Sequence, residues 1–134
     1  MLTEMGHYLE TVDEVDNWQA YAGTASPINF NGLVRQYYLR SEPYQGDIQV
    51  NLASAEARSR PSHDITQALR GPLTEIADRY GAKVKMVEVP PGPPVMSPLV
   101  AEVYAADAFR RAELARLIAG DMANIEGLVD IDTT

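Results

Sequence analysis

The run Pro90-Pro91-Gly92-Pro93-Pro94 constrains this chain more than any other feature. Proline fixes φ and has no amide hydrogen, so the run can be neither a helix interior nor a central strand. It reads as a stiff connector, and the chain must therefore pack as two units, residues 1–92 and 93–134. The whole has 134 residues, 46% of them apolar and 22% charged. A chain of that size and composition can bury a core and is neither disordered nor fibrous.

One pattern recurs on both sides of the connector: an amphipathic helix followed by a short strand. Leu2, Met5, Leu9 and Val12 are spaced three, four and three apart, which predicts a helix over 2–12, weakened by Gly6. A β-like stretch, 15–22, follows and is closed by Gly23. Ile65, Leu69, Leu73, Ile76 and Tyr80 share a helical face. Ser62 is the expected N-cap, Gly81 the expected left-handed end, and Pro72 should kink the helix or divide it in two. The strand 83–89 comes next. Beyond the connector, strand 99–104 leads to a helix that Asp107 caps, with Leu114, Leu117, Ile118, Met122 and Ile125 on one face. Gly127 should end that helix, and 128–132 is a last short strand. Between the first two units, 47–53 alternates Ile48, Val50 and Leu52 with Asp47, Gln49 and Asn51, the period of a half-buried strand.

These elements predict an α+β fold with helices packed on one face of mixed sheets. The order is α-β-loop-β-α-β, connector, β-α-β. A ferredoxin-like unit is β-α-β-β-α-β, so the first unit lacks its opening strand and the second has only its first half. The expectation is a piece of a longer chain.

Composition narrows the partners. Lys and Arg number 11 against 19 Asp and Glu, a net charge of −8. An acidic chain repels phosphate, which argues against nucleic acid or anionic lipid. Residues 1–34 hold five acids and no Lys or Arg, and 35–85 hold eight bases against six acids. That mildly basic middle spans three elements and reads as solvated surface. There is no cysteine, which excludes disulfides, thiolate metal sites and a cysteine nucleophile. No apolar run approaches the ~20 residues that cross a bilayer, and the acidic start is no signal peptide. The expectation is a polypeptide soluble where it is made.

Little in the sequence suggests catalysis. His7 and His63 stand far apart at helix starts, and a metal site would need both to converge with carboxylates. Asp130 with Asp132, and the group Asp13, Glu14 and Asp16, could bind cations, but read equally as the wet side of strands and turns. No serine lies in a strained elbow, and GTASPINFNG lacks the spacing and the lysine of a phosphate loop. The five methionines, Met1, Met5, Met86, Met96 and Met122, suit apolar packing better than a thioether site for Cu(I) or Ag(I). No enzyme, no cofactor and no metal is expected.

The informative segment is 23–45, where Ile28, Phe30, Leu33, Tyr37, Tyr38 and Tyr44 stand among turn formers. Within it, 32–39 could be a helical turn or an irregular strand. An irregular stretch of that length is more often functional than accidental. Its aromatics suit greasy, variable ligands. Alternatively they cover the sheet or a neighbouring subunit.

The segments VDNWQAYAGTASPINFNGLVRQYYLR (15–40), GDIQVNLA (46–53), SHDITQALRGPLTEIADRYGAKVKMVEVPPGPPV (62–95) and LVAEVYAADAFRRAELARLIAGDMANIEGLVDID (99–132) resemble the periplasmic porter region of resistance–nodulation–division (RND) efflux pumps, of the acriflavin-resistance or cation–multidrug type. The loop GTASPINFNGLVRQYYLR and VEVPPGPPV are the most specific. The resemblance implies ferredoxin-like split β-α-β porter subdomains, a partial one over 1–92 and the first half of another over 93–134. It implies a proton-driven antiporter in the inner membrane, with this region in the periplasm. The full-length pump would be a homotrimer working with a periplasmic adaptor and an outer-membrane channel. Hydrophobic or amphiphilic small molecules would be the substrates, with Ile28, Phe30, Tyr37 and Tyr38 on the loop beside the binding pocket. The alternatives are a heavy-metal cation efflux porter, or a free-standing ferredoxin-like module that binds a small ligand.

Overall fold

β1 (Val15–Ala22) runs antiparallel to β2 (Gly46–Leu52) in a sheet that is two-stranded among the described residues. The computed structural model describes residues 1–89, 92–93 and 97–133, and at Asn31 the backbone only. It divides into two units, Met1–Met96 and Ser97–Thr134. In the first, β1 and β2 are joined by α1 (Leu2–Leu9), α2 (Phe30–Val34), a 3-10 turn (Tyr37–Leu39) and α3 (Ser62–Arg79). The second holds α4 (Ala108–Met122). The result is a small α+β fold. Pro90, Pro91 and Pro94, three of the five connector residues, lie outside the described residues, as does Met96 just past them.

The register sorts the sheet into two faces. Trp18 pairs with Val50 and Ala20 with Ile48 on one, and Asn17 with Asn51, Gln19 with Gln49 and Tyr21 with Asp47 on the other. Val15 and Trp18 are three residues apart, the wrong parity for one face of a regular strand. An irregularity between Val15 and Asn17 corrects this: the extra residue, Asp16, restores Val15 to the side of Trp18, opposite Leu52. On the polar face the Asn51 amide donates to Asn17 Oδ1 at 2.7 Å.

The core lies between the sheet and the two helices of this unit. Met5 and Leu9 of α1 and Ile65, Leu69, Leu73, Ile76 and Ala77 of α3 are buried, and Val15, Trp18, Ile48, Val50 and Leu52 pack against them. Each fully buried aliphatic side chain of this kind contributes about 1.5–3 kcal/mol. Gly6 brings α1 against the sheet: a Cβ built there would lie 2.2 Å from Trp18 Cζ2. The indole Nε1 then donates to Glu10 Oε1 at 3.2 Å.

Several expectations need correction. α1 stops at Leu9, and turns carry the chain to Val15, with Val12 N bonded to Leu9 O. α3 is one continuous helix through Pro72, not two shorter ones. Gly71 precedes the proline, so the Cβ that a proline ring normally strikes is absent. Ser62 is the first helical residue and caps nothing. Pro61 is the boundary, because Ile65 N bonds to its carbonyl. Gly81 does take the left-handed conformation (φ +63°), and Ala82 N reaches back to Ala77 O. α4 ends at Met122, five positions before Gly127, and Asp107 caps its start by accepting from Arg110 N at 2.8 Å.

The expected strands 83–89, 99–104 and 128–132 form no ladder among the described residues. Burial in 82–89 nevertheless has period two: Ala82, Val84, Met86 and Glu88 are half-buried, and Lys83, Lys85, Val87 and Val89 are exposed. Alternation decides which face is covered. A ladder also needs a neighbouring backbone at about 4.8 Å, and among the described residues β1 and β2 pair only with each other. In 128–132 the positive φ of Asp130 (58°) breaks any extended run.

Candidate ligand-binding loop

Residues 23–45 form a closed excursion from one end of the sheet. Gly23, at φ +67°, turns the chain out of β1, and its N–H donates to Gln45 O at 2.9 Å, which shuts the mouth of the loop. Asn29 starts α2: its Oδ1 accepts from Gly32 N at 2.7 Å, and its carbonyl from Leu33 N at 2.8 Å. Gln36, in the left-handed region, turns α2 into the 3-10 helix. Gln45 Oε1 accepts from Ser41 N and Glu42 N and so braces the return.

A polar contact holds this excursion to the sheet. The Arg40 guanidinium pairs with Asp47 at the start of β2, and its carbon stands 4.1 Å from the centre of the Tyr37 ring. Asp47 is opposite Tyr21, on the face of the sheet turned away from the core. Two atoms here are unusual among the described residues: Arg35 Nε and Asp47 Oδ2 are shielded from solvent and have no hydrogen-bond partner.

Of the four loop residues expected at a substrate site, Ile28 (69% exposed), Phe30 (68%) and Tyr38 present their side chains to solvent, and Tyr37 is half-buried beneath Arg40. Leu33, Leu39 and Tyr44 are exposed as well. None of these side chains belongs to the core or packs against it. The loop thus leaves the core of its own unit uncovered by these groups and offers aromatic and aliphatic surface outward. Sequence reasoning singled out the apolar members and missed Arg40 and Asp47. Asp47 looked like one more wet-face strand residue, and Arg40 like one more loop charge.

The other candidates are engaged elsewhere. His63 sits between Glu88 Oε2 (3.0 Å) and Gln67 Nε2 (2.8 Å), and His7 is exposed on α1. Glu14 is gripped by both Nε and Nη2 of Arg60, at 2.6 and 2.7 Å, and this holds its carboxyl below the usual range. Among the described residues no three His, Asp or Glu side chains gather as a metal site would require. Met5 is buried in the core, and Met1 and Met86 pack against it. No helix of the described residues is long and apolar enough to cross a membrane. Comparison of the chain with protein families, with curated proteins and with solved structures finds no match in any of the three.

Proposed function

We propose that this chain is a periplasmic porter portion of an RND-type, proton-driven efflux transporter, and that residues 23–45 line the path of a hydrophobic or amphiphilic substrate. The observation that carries the reading is the loop itself: a braced excursion whose Ile28, Phe30 and Tyr38 face solvent and add nothing to the core. A surface of that kind binds by area, at about 25 cal/mol per Å² of apolar surface covered. It tolerates varied ligands, because aromatic rings impose little directional demand. The motif resemblance supplies the rest of the reading: split β-α-β subdomains, a parent protein in the inner membrane, a homotrimer, an adaptor and an outer-membrane channel.

In this mechanism the chain contributes binding surface and stiffness. The Met5–Leu9 and Ile65–Ala77 core makes the first unit a solid body. Proton-driven motion in the membrane part would rock that body against its neighbours, so that a cleft opens to the periplasm, closes and empties outward, a hinge or shear cycle. The loop rides on the body as one wall of the cleft.

The test is Phe30→Ala in the full-length transporter. The ring should be worth about 1–2 kcal/mol to a substrate that covers it, or roughly tenfold in affinity. The resistance spectrum should change while the trimer persists. An unchanged spectrum removes Phe30 from the path, and a reading frame without membrane-spanning helices on either side of this segment removes the transporter reading altogether.

A further inference from the structure

We propose that the Tyr37 ring and the Asp47 carboxylate form a binding site for an organic cation with delocalised charge, and that Arg40 fills this site in the unliganded chain. The inference deepens the reading of 23–45 as a ligand-binding loop and rests on it. Arg40 supplies the internal template: its planar guanidinium lies over Tyr37 at 4.1 Å and pairs through Nη1 with Asp47 Oδ1. A ring face beside a carboxylate is the environment that recognises amidinium and guanidinium groups.

The pairing is half made. A carboxylate can accept from both oxygens of a forked donor, yet Asp47 Oδ2 is shielded from solvent and has no partner. An acceptor left in that state is costly, and an occupant that reaches both oxygens gains what Arg40 leaves unmade. Arg40 can leave, because 28% of its side chain is exposed and its charge would pass into water. The incoming cation would bring an apolar body, for which Tyr38 and Leu39 stand exposed on the same 3-10 turn as Tyr37. A cation suits the site better than an anion, because the charged wall facing Arg40 is the Asp47 carboxylate and the chain as a whole carries −8.

The experiment uses three probes with one skeleton: naphthalene-2-carboxamidine, 2-naphthamide and 2-naphthoate, titrated calorimetrically into the full chain. The amidine should bind about tenfold or more tightly than the amide, and the carboxylate least. Asp47→Asn should bring the amidine down to the amide's affinity and leave the amide unchanged. Arg40→Gln should tighten the amidine several-fold by removing its competitor, whereas a bracing role alone would weaken it. Tyr37→Leu keeps an apolar contact but removes the ring, and it should cost the amidine more than the amide. Each variant is first checked for native circular dichroism. Equal binding of amidine and amide, or weaker amidine binding by a folded Arg40→Gln chain, overturns the cation site and leaves the apolar loop standing. Failure of all three probes to bind overturns the loop reading with it.

Discussion

At Gly6 a hydrogen atom is all that separates α1 from the indole of Trp18, since a Cβ there would meet Cζ2 at 2.2 Å. Alanine is the better helix former by about 1 kcal/mol, yet Gly6→Ala should lower stability by about 1–3 kcal/mol, because overpacking forces the helix off the sheet. Urea denaturation of the two chains checks this, and a stabilised variant would show that the seam gives way easily. The carboxyl of Glu4, on the same helix, accepts from the Tyr80 hydroxyl at 2.9 Å and from Arg79. Those bonds, Tyr80's first, hold it below its ordinary 4.5, as Arg60 does for Glu14. A lowered carboxyl contributes stability that is complete above about pH 4.5 and is lost as the pH falls through the lowered value. Tyr80 is raised above 10 by its bond to Glu4, so its contribution is complete below 10 and is lost as the pH rises through the raised value. Denaturation midpoints followed across pH should fall at both ends. Glu4→Gln should flatten the acid limb in part, leaving the shares due to Glu14 and Glu56, and should weaken the alkaline one.

At the scale of elements, α3 carries the clearest test. Pro72 has no N–H to return to the carbonyl of Ala68, so one helical bond is missing from the middle of the element. Pro72→Ala should restore it and raise stability by about 1–3 kcal/mol, read from the shift in urea midpoint. The face of this helix was readable in the sequence, because Ile65, Leu69, Leu73 and Ile76 recur at helical spacing and all four are buried. Gly81 and Asp107 were readable for the same kind of reason: a left-handed end and an N-cap depend on residues close by in the chain. What could not be read depends on distant partners. The bulge at Asp16 is set by β2, the need for glycine at position 6 by Trp18, and the grip on Asp47 by where a long loop happens to return. The apolar content of 23–45 marked it as a candidate, whereas the pairing of Arg40 with Asp47 exists only once Gly23 and Gln45 have closed the loop.

For the molecule as a whole, the pairing pattern predicts unequal local stability. Amides of β1 and β2 share a ladder with a packed face beneath it, and those of 83–89 have side chains against the core but, among the described residues, no ladder. Hydrogen exchange should therefore be slow over Trp18–Ala20 and Ile48–Val50 and fast over 83–89. Comparable protection in both would mean that 83–89 has found a strand to pair with. The exposed Lys83 and Lys85 suit such an edge, since like charges discourage indiscriminate pairing with a second molecule.

The chain has a single tryptophan, and that residue projects from β1 against Gly6 of α1 with its ring nitrogen bonded to Glu10. Emission excited at the red edge of the spectrum therefore comes from one place and reports whether the amino-terminal helix is seated. Three of the seven tyrosines, Tyr37, Tyr38 and Tyr44, ride on the loop. A titrant that shifts tyrosine signal in the native chain, loses that shift when these three are replaced by leucine and leaves the indole untouched would be acting on the loop, and one that moves the indole would be loosening the interior.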